Sequence, residues 1–234
     1  MSGPGALVVH GLTGSPQSVA GLGAALAGAG FVVGVPLLPG HGTSPEDLAG
    51  CGWAEWEGAV EEAYARLPAP VVVAGLSMGG ALAAGVAARH PERVAGLIAV
   101  NPFVDPPVAS FQALLGDLLA AGEPFLPGIG DDTTAPDVDE GAYDRLPVAA
   151  LLSMCQGLDA LRPALAGIGC PVLLFTSRHD HVVPVASSDV LAASVAGPVE
   201  RVWLDRSAHV ATLDVERDQL ERQAVAFARR VTAS

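Results

Sequence analysis

Short apolar runs at 6–9, 31–37, 71–74, 94–100, 172–176 and 199–204 punctuate this chain, and most of them continue without a polar residue in between. A strand with one face in solvent alternates apolar and polar side chains, so continuous runs predict strands covered on both faces. Ala-rich segments of helical period at 19–29, 53–67, 78–89, 185–196 and 214–231 separate the runs. The pattern predicts a mostly parallel α/β sheet with helices on both faces. The length, 234 residues, fits one domain with room for an insertion. Half of the residues are apolar and only 16% charged, which excludes a disordered chain.

The alternation breaks after Asn101-Pro102. From 103 to 146 no strand is legible; a helix carrying Phe111, Leu114, Leu115, Leu118 and Leu119 on one stripe leads into the turn-rich acidic stretch 131–140. We read 103–146 as a small helical cap inserted into a core domain formed by 1–102 and 147–234. A helix at about 148–161 returns the chain to the core.

Twelve basic residues, all Arg, stand against 25 acidic ones, a net charge of −13. A phosphate backbone would be repelled, so nucleic acid is excluded as a partner. No apolar run approaches the roughly 18 to 20 residues of a membrane span, so stable membrane insertion is not expected. The opening residues carry no positive charge and run directly into the first strand, which predicts a cytoplasmic protein rather than a secreted one. Cys51, Cys155 and Cys170 are too few and too widely spaced for a disulfide framework or a metal cluster and read as core thiols.

Gly75-Leu76-Ser77-Met78-Gly79 sits between an apolar strand and an Ala-rich helix. A serine on a sharp strand-to-helix turn needs small neighbours, and it exposes its hydroxyl beside the positive end of the helix. Ser77 is therefore the candidate nucleophile, and the Met78 N–H a candidate oxyanion donor. Serine needs a base and a carboxylate to orient that base. His209, between the last strand and the last helix, is the candidate base. Asp180, in a loop after a strand, is the preferred acid, with Asp205 as the alternative. Of the other histidines, His10 reads as a brace of the loop after the first strand and His41 as a wall residue or substrate contact. His90 reads as a helix C-cap or a surface residue, and His179 and His181 as loop residues. Gly11 and Gly14 let the first loop turn toward Ser77, so the Leu12 N–H is the second oxyanion donor. Asn101 reads as a cap of the following turn or a substrate contact.

The segments Val8-Val9-His10-Gly11-Leu12-Thr13-Gly14, Pro39-Gly40-His41-Gly42, Gly75-Leu76-Ser77-Met78-Gly79-Gly80, Ser177-Arg178-His179-Asp180 and Ser207-Ala208-His209-Val210 together resemble the α/β-hydrolase fold. More narrowly they resemble the small bacterial carboxylesterases and monoacylglycerol lipases, in the chain order Ser, Asp, His. Leu12 departs from the aromatic residue common at that position. The resemblance implies a serine esterase without metal or cofactor, with Ser77, Asp180 and His209 as catalytic triad and the Leu12 and Met78 amides as oxyanion hole. Its substrate would be a small carboxylic ester of short to medium acyl chain, or a monoacylglycerol, with the apolar acyl group under the cap. The alternatives are a non-hydrolytic or C–C bond-cleaving member of the superfamily and a non-catalytic ligand-binding module.

Overall fold

Strands β1 (Gly5–Val9), β2 (Val32–Gly34), β3 (Val71–Leu76) and β4 (Val94–Val100) alternate with helices α1 (Ala20–Gly28), α2 (Pro45–Ala49), α3 (Trp53–Ala65) and α4 (Met78–Arg89) in the computed structural model, which describes residues 3–105 and 109–233. Next come α5 (Ala109–Ala120), the strands β5 (Phe125–Pro127) and β6 (Arg145–Pro147), and α6 (Val148–Leu161). The chain ends with β7 (Val172–Ser177), α7 (Val185–Ser194), β8 (Val199–Leu204) and α8 (Arg217–Thr232). The first two residues of the opening segment and positions 106–108 of the expected cap lie outside the described residues.

Six strands form one parallel sheet in the order β2-β1-β3-β4-β7-β8. The continuous apolar runs are explained by its two covers. Leu7, Val9, Val71, Val73, Leu97, Ala99, Val172 and Leu174 point into the core shared with α3, α4 and α6, where Trp56, Leu82 and Leu158 are buried. Their neighbours Ala6, Val8, Val72, Ala74, Ile98, Val100, Leu173 and Phe175 face α1 and α8, meeting Leu22, Leu26, Leu220 and Phe227. Both faces are dry, so alternation has nothing to report.

The structure differs from the sequence reading in several places. Strand β2 stops at Gly34, because Pro36 and Pro39 cannot donate to a ladder. Helix α8 begins at Arg217, since Asp214 and Glu216 are engaged in loop hydrogen bonds. The segment thought free of strands holds the antiparallel pair β5 and β6, joined Phe125 to Pro147 and Pro127 to Arg145. Three-residue strands are too short to show a period, and each contains a proline. The apolar stripe of α5 is only partly used: Leu115 is fully buried, whereas Leu114 is 52% exposed. Among the described residues, no helix is long and apolar enough to cross a membrane.

Candidate active site

Ser77, His209, Asp180 and the loop after β1 all lie beyond the carboxyl ends of parallel strands, where side chains and loops of an α/β sheet converge on a crevice. Ser77 has φ 56° and ψ −120°, a conformation an L-residue holds only when its surroundings enforce it. Those surroundings are visible. The Ser77 N–H donates to the Val100 carbonyl at 3.0 Å, and the Ser77 carbonyl accepts from the amides of Gly80 and Phe103 at 2.9 and 3.2 Å. A Cβ at Gly75 would overlap the Gly79 carbonyl, and one at Gly79 would overlap the carbonyls of Val9 and His10. Only glycine lets α4 leave the sheet at this angle.

The loop after β1 runs alongside the serine: a side chain added at Gly11 would touch Ser77 Cβ at 3.5 Å. His10 braces this loop. Its Nδ1 contacts the Gly11 carbonyl at 2.9 Å and its Nε2 accepts the Leu38 N–H at 3.2 Å, a pattern that fixes a neutral ring protonated on Nδ1. Burial, reinforced by the neighbouring His41, pushes the His10 pKa down to about 3. Burial likewise takes His41 down to about 4; its ring meets those of His10 and Trp56 edge to face. His41 is absent from the residues lining the cavity beside Ser77, so it supports the loop from behind. Leu12 lines the cavity beside Ser77, while Met78 is the first residue of α4, whose N–H has no intrahelical acceptor.

Asp180 and His209 meet directly, Oδ2 to Nδ1 at 2.8 Å, with both side chains nearly shut off from solvent. The other Asp180 oxygen accepts the amides of Val182 and Val183 at 2.9 and 2.7 Å, so the Asp180 carboxylate is locked in orientation. Asp205 is instead 70% exposed and pairs with Arg178 at 2.6 Å. His90 caps α4 and pairs with Glu61; His179 is exposed. Asn101 neither caps a turn nor reaches the cavity. Its side chain accepts the Ser177 N–H and donates to the His209 carbonyl, both at 2.8 Å, tying the end of β7 to the loop of His209.

Ser77 and His209 line one cavity of about 530 Å³, within the range of small-ligand sites. Phe103, Phe111, Leu146, Leu151 and Met154 give it an apolar wall. Its polar groups include His181 and Glu140. Burial raises the Glu140 carboxyl to about 7, against a partial opposing pull from His209. Sequence reading passed over Glu140 and its neighbour Asp132 as turn residues. Asp132 accepts the backbone N–H of both His181 and His209 on Oδ2, at 3.0 Å each, and Oδ1 meets His181 Nδ1 at 2.8 Å. Their one sequence signal was an acidic cluster in a chain with few charges. Among the described residues, no three His, Cys, Asp or Glu side chains are grouped to hold a metal ion.

Comparison with known proteins gives a concordant picture. Residues 6–216 match the family Hydrolase_4, described as serine aminopeptidase, S33. A thermostable monoacylglycerol lipase of Bacillus sp. (strain H-257) is 38% identical over 233 residues, covering 97% of this chain and 91% of that protein. A carboxylesterase of Bacillus subtilis (strain 168) is 25% identical, covering 94% of this chain and 90% of that protein. A solved structure reported for LipS and LipT, two metagenome-derived lipolytic enzymes, superposes with a TM-score of 0.89 at 35% identity, covering 97% of this chain and 93% of that one.

Proposed function

The chain belongs to the Hydrolase_4 family of α/β-hydrolases, and from that premise we propose that it hydrolyses neutral carboxylic esters through an acyl-enzyme on Ser77. The observation that carries this reading is the Asp180–His209 hydrogen bond on the wall of the same apolar cavity that Ser77 lines. His209 takes the Ser77 proton through Nε2 as Oγ attacks the ester carbonyl. The oxyanion that forms is held by the amides of Leu12 and Met78. His209 then returns the proton to the departing alkoxide, the alcohol leaves, and the acyl group stays on Ser77. A water, deprotonated by His209, attacks the acyl-enzyme and releases the carboxylic acid and the free serine.

The segment 103–146 acts as the cap, and the acyl chain lies against Phe103, Phe111, Leu151 and Met154. Glu140, protonated below about pH 7, can donate to and accept from a hydroxyl in a mostly apolar cavity, which favours an ester whose alcohol part carries hydroxyl groups. A monoacylglycerol has both halves, and it is what the Bacillus sp. relative is named for. The three cysteines are unpaired, which favours a reducing compartment such as the cytoplasm.

Purified Ser77→Ala tests the reading on p-nitrophenyl and glyceryl esters. Its kcat/KM should fall by on the order of 10⁴ to 10⁶ and fluorophosphonate labelling should vanish. A variant that keeps most of its activity would remove Ser77 from the mechanism.

A further inference from the structure

We propose that Asp132 is a positioning residue for the His209 imidazole: one carboxylate, delivered by the 103–146 segment, bridges the loop that carries the base and the loop that carries its acid. The proposal rests on the serine-hydrolase reading of His209. Asp180 fixes the separation of the two side chains, but each sits on a loop of its own. His209 comes five residues after β8, and Asp180 three residues after β7. The Asn101 side chain ties the end of β7 to the His209 loop, and the Asp132 carboxylate joins the two backbones next to the acid itself. Its Oδ2 accepts the N–H of His209 and of His181 at 3.0 Å each, one residue beyond the acid, and its main-chain carbonyl accepts the Val210 N–H at 3.0 Å. The side chain is only 16% exposed, while its partner His181 is 71% exposed. Burial opposes its charge, but the hydrogen bonds from His181 and His209 outweigh that and hold the Asp132 pKa below its ordinary value.

The same segment is fastened at its far side to the oxyanion loop. Tyr143 donates its N–H to the Thr13 carbonyl at 3.3 Å, and its hydroxyl donates to the Gly40 carbonyl at 3.0 Å. A short strap of cap, 132–143, therefore spans from the base to the oxyanion loop, with cavity-lining Glu140 between its ends. Asp132 touches neither the serine nor the cavity, so its effect must pass through the position of His209.

The test uses the full chain and three variants. Asp132→Ala removes the acceptor, Asp132→Asn keeps an oxygen for the two amides without the charge, and Asp132→Glu keeps charge and acceptor but displaces them by one methylene. Active sites are counted by complete fluorophosphonate labelling, folding is followed by thermal melts, and kcat and KM are measured on p-nitrophenyl octanoate. Displacing the base by a fraction of an ångström to an ångström should lower kcat per labelled site by about 10- to 100-fold in Asp132→Ala and about tenfold in Asp132→Glu. KM should stay within about twofold, and Asp132→Asn should recover most of kcat. A purely structural role would reduce the number of folded sites and leave kcat per site unchanged, and that result overturns the proposal. So does an Asn variant no better than Ala. If Asp132→Ala does not fold, Asp132→Glu with wild-type kcat overturns it alone. Wild-type protein that neither turns over esters nor labels at Ser77 sinks the esterase reading itself, a different outcome from active wild type with indifferent variants.

Discussion

Four consecutive backbone N–H groups, from Arg206 to His209, end on carboxylate oxygens: Glu216 takes the first two, Asp214 the third and Asp132 the fourth. An irregular loop has no ladder to satisfy its amides, and a carboxylate accepts from several at once with charge-assisted strength. Part of the acidic surplus is thus structural. Its pH consequences follow from burial. Asp132, Asp214 and Glu216 face burial, but hydrogen bonds from the loop amides prevail and hold their pKa values low. Their contribution is complete above the unfolded values and is lost as pH falls through the depressed ones. His10 and His41, held neutral at about 3 and 4 against 6.5 when unfolded, each cost stability as pH falls below 6.5, by about 1.4 kcal/mol per unit. Glu140 runs the other way. Its folded value of about 7 exceeds the unfolded 4.5, so its contribution is present below 4.5 and is lost as pH rises to 7. Between 4.5 and 6.5 two histidines outweigh one glutamate, and stability should rise with pH. Glu140→Gln isolates the single term: its unfolding free energy from urea denaturation should match wild type near pH 4.5 and exceed it at pH 8, by about 3 kcal/mol at most. Equal free energies at pH 8 would mean that Glu140 ionises freely in the native state.

At the scale of elements, the strand-turn-helix unit around Ser77 was legible because its constraints are local. Gly75 and Gly79 are required by backbone atoms only four residues away or on the adjoining strand β1, and apolar runs flank them. Gly79→Ala would push α4 off β1; we expect a loss of about 3 kcal/mol, the upper end for overpacking, with slower probe labelling of whatever folds. Chemical denaturation and labelling kinetics on the same sample check this, and an unchanged midpoint would contradict the close approach. What escaped sequence reading is non-local. Strands β5 and β6 pair residues about twenty positions apart over three residues each. The acidic stretch after Gly130 has the composition of a solvated turn, yet Thr134 and Ala135 both donate to Asp214, some eighty residues on. Asn101 was open to a reading as a local cap because its partners, Ser177 and His209, lie 76 and 108 residues away. The stripe of α5 misled in the opposite sense: its spacing was right, but which flank meets α6 and which meets solvent depends on the docking angle, so Phe111 lines the cavity while Leu114 does not.

For the molecule as a whole, net charge gives a test of which esters the proposed site admits. The net charge is −13, and the described residues lining the cavity include Asp105 and Glu140 but no arginine. A polyphosphate substrate such as an acyl-CoA therefore approaches against the field of the whole protein, and Arg162, beside the lining, is already paired with Asp105 at 3.0 Å. A neutral ester feels neither effect. Between about 0.01 M and 0.1 M salt the screening length contracts from about 30 Å to about 10 Å, which hides most of the surface charge from an incoming ligand. Over that interval kcat/KM for octanoyl-CoA should rise by on the order of tenfold, whereas kcat/KM for p-nitrophenyl octanoate should stay flat. Comparing each substrate with itself cancels the intrinsic difference between thioester and ester, so the slope reports electrostatics alone. A rate on octanoyl-CoA that falls with added salt would reveal an attractive basic surface near the mouth, and the preference for uncharged esters would then have to come from the apolar wall and Glu140 rather than from the field.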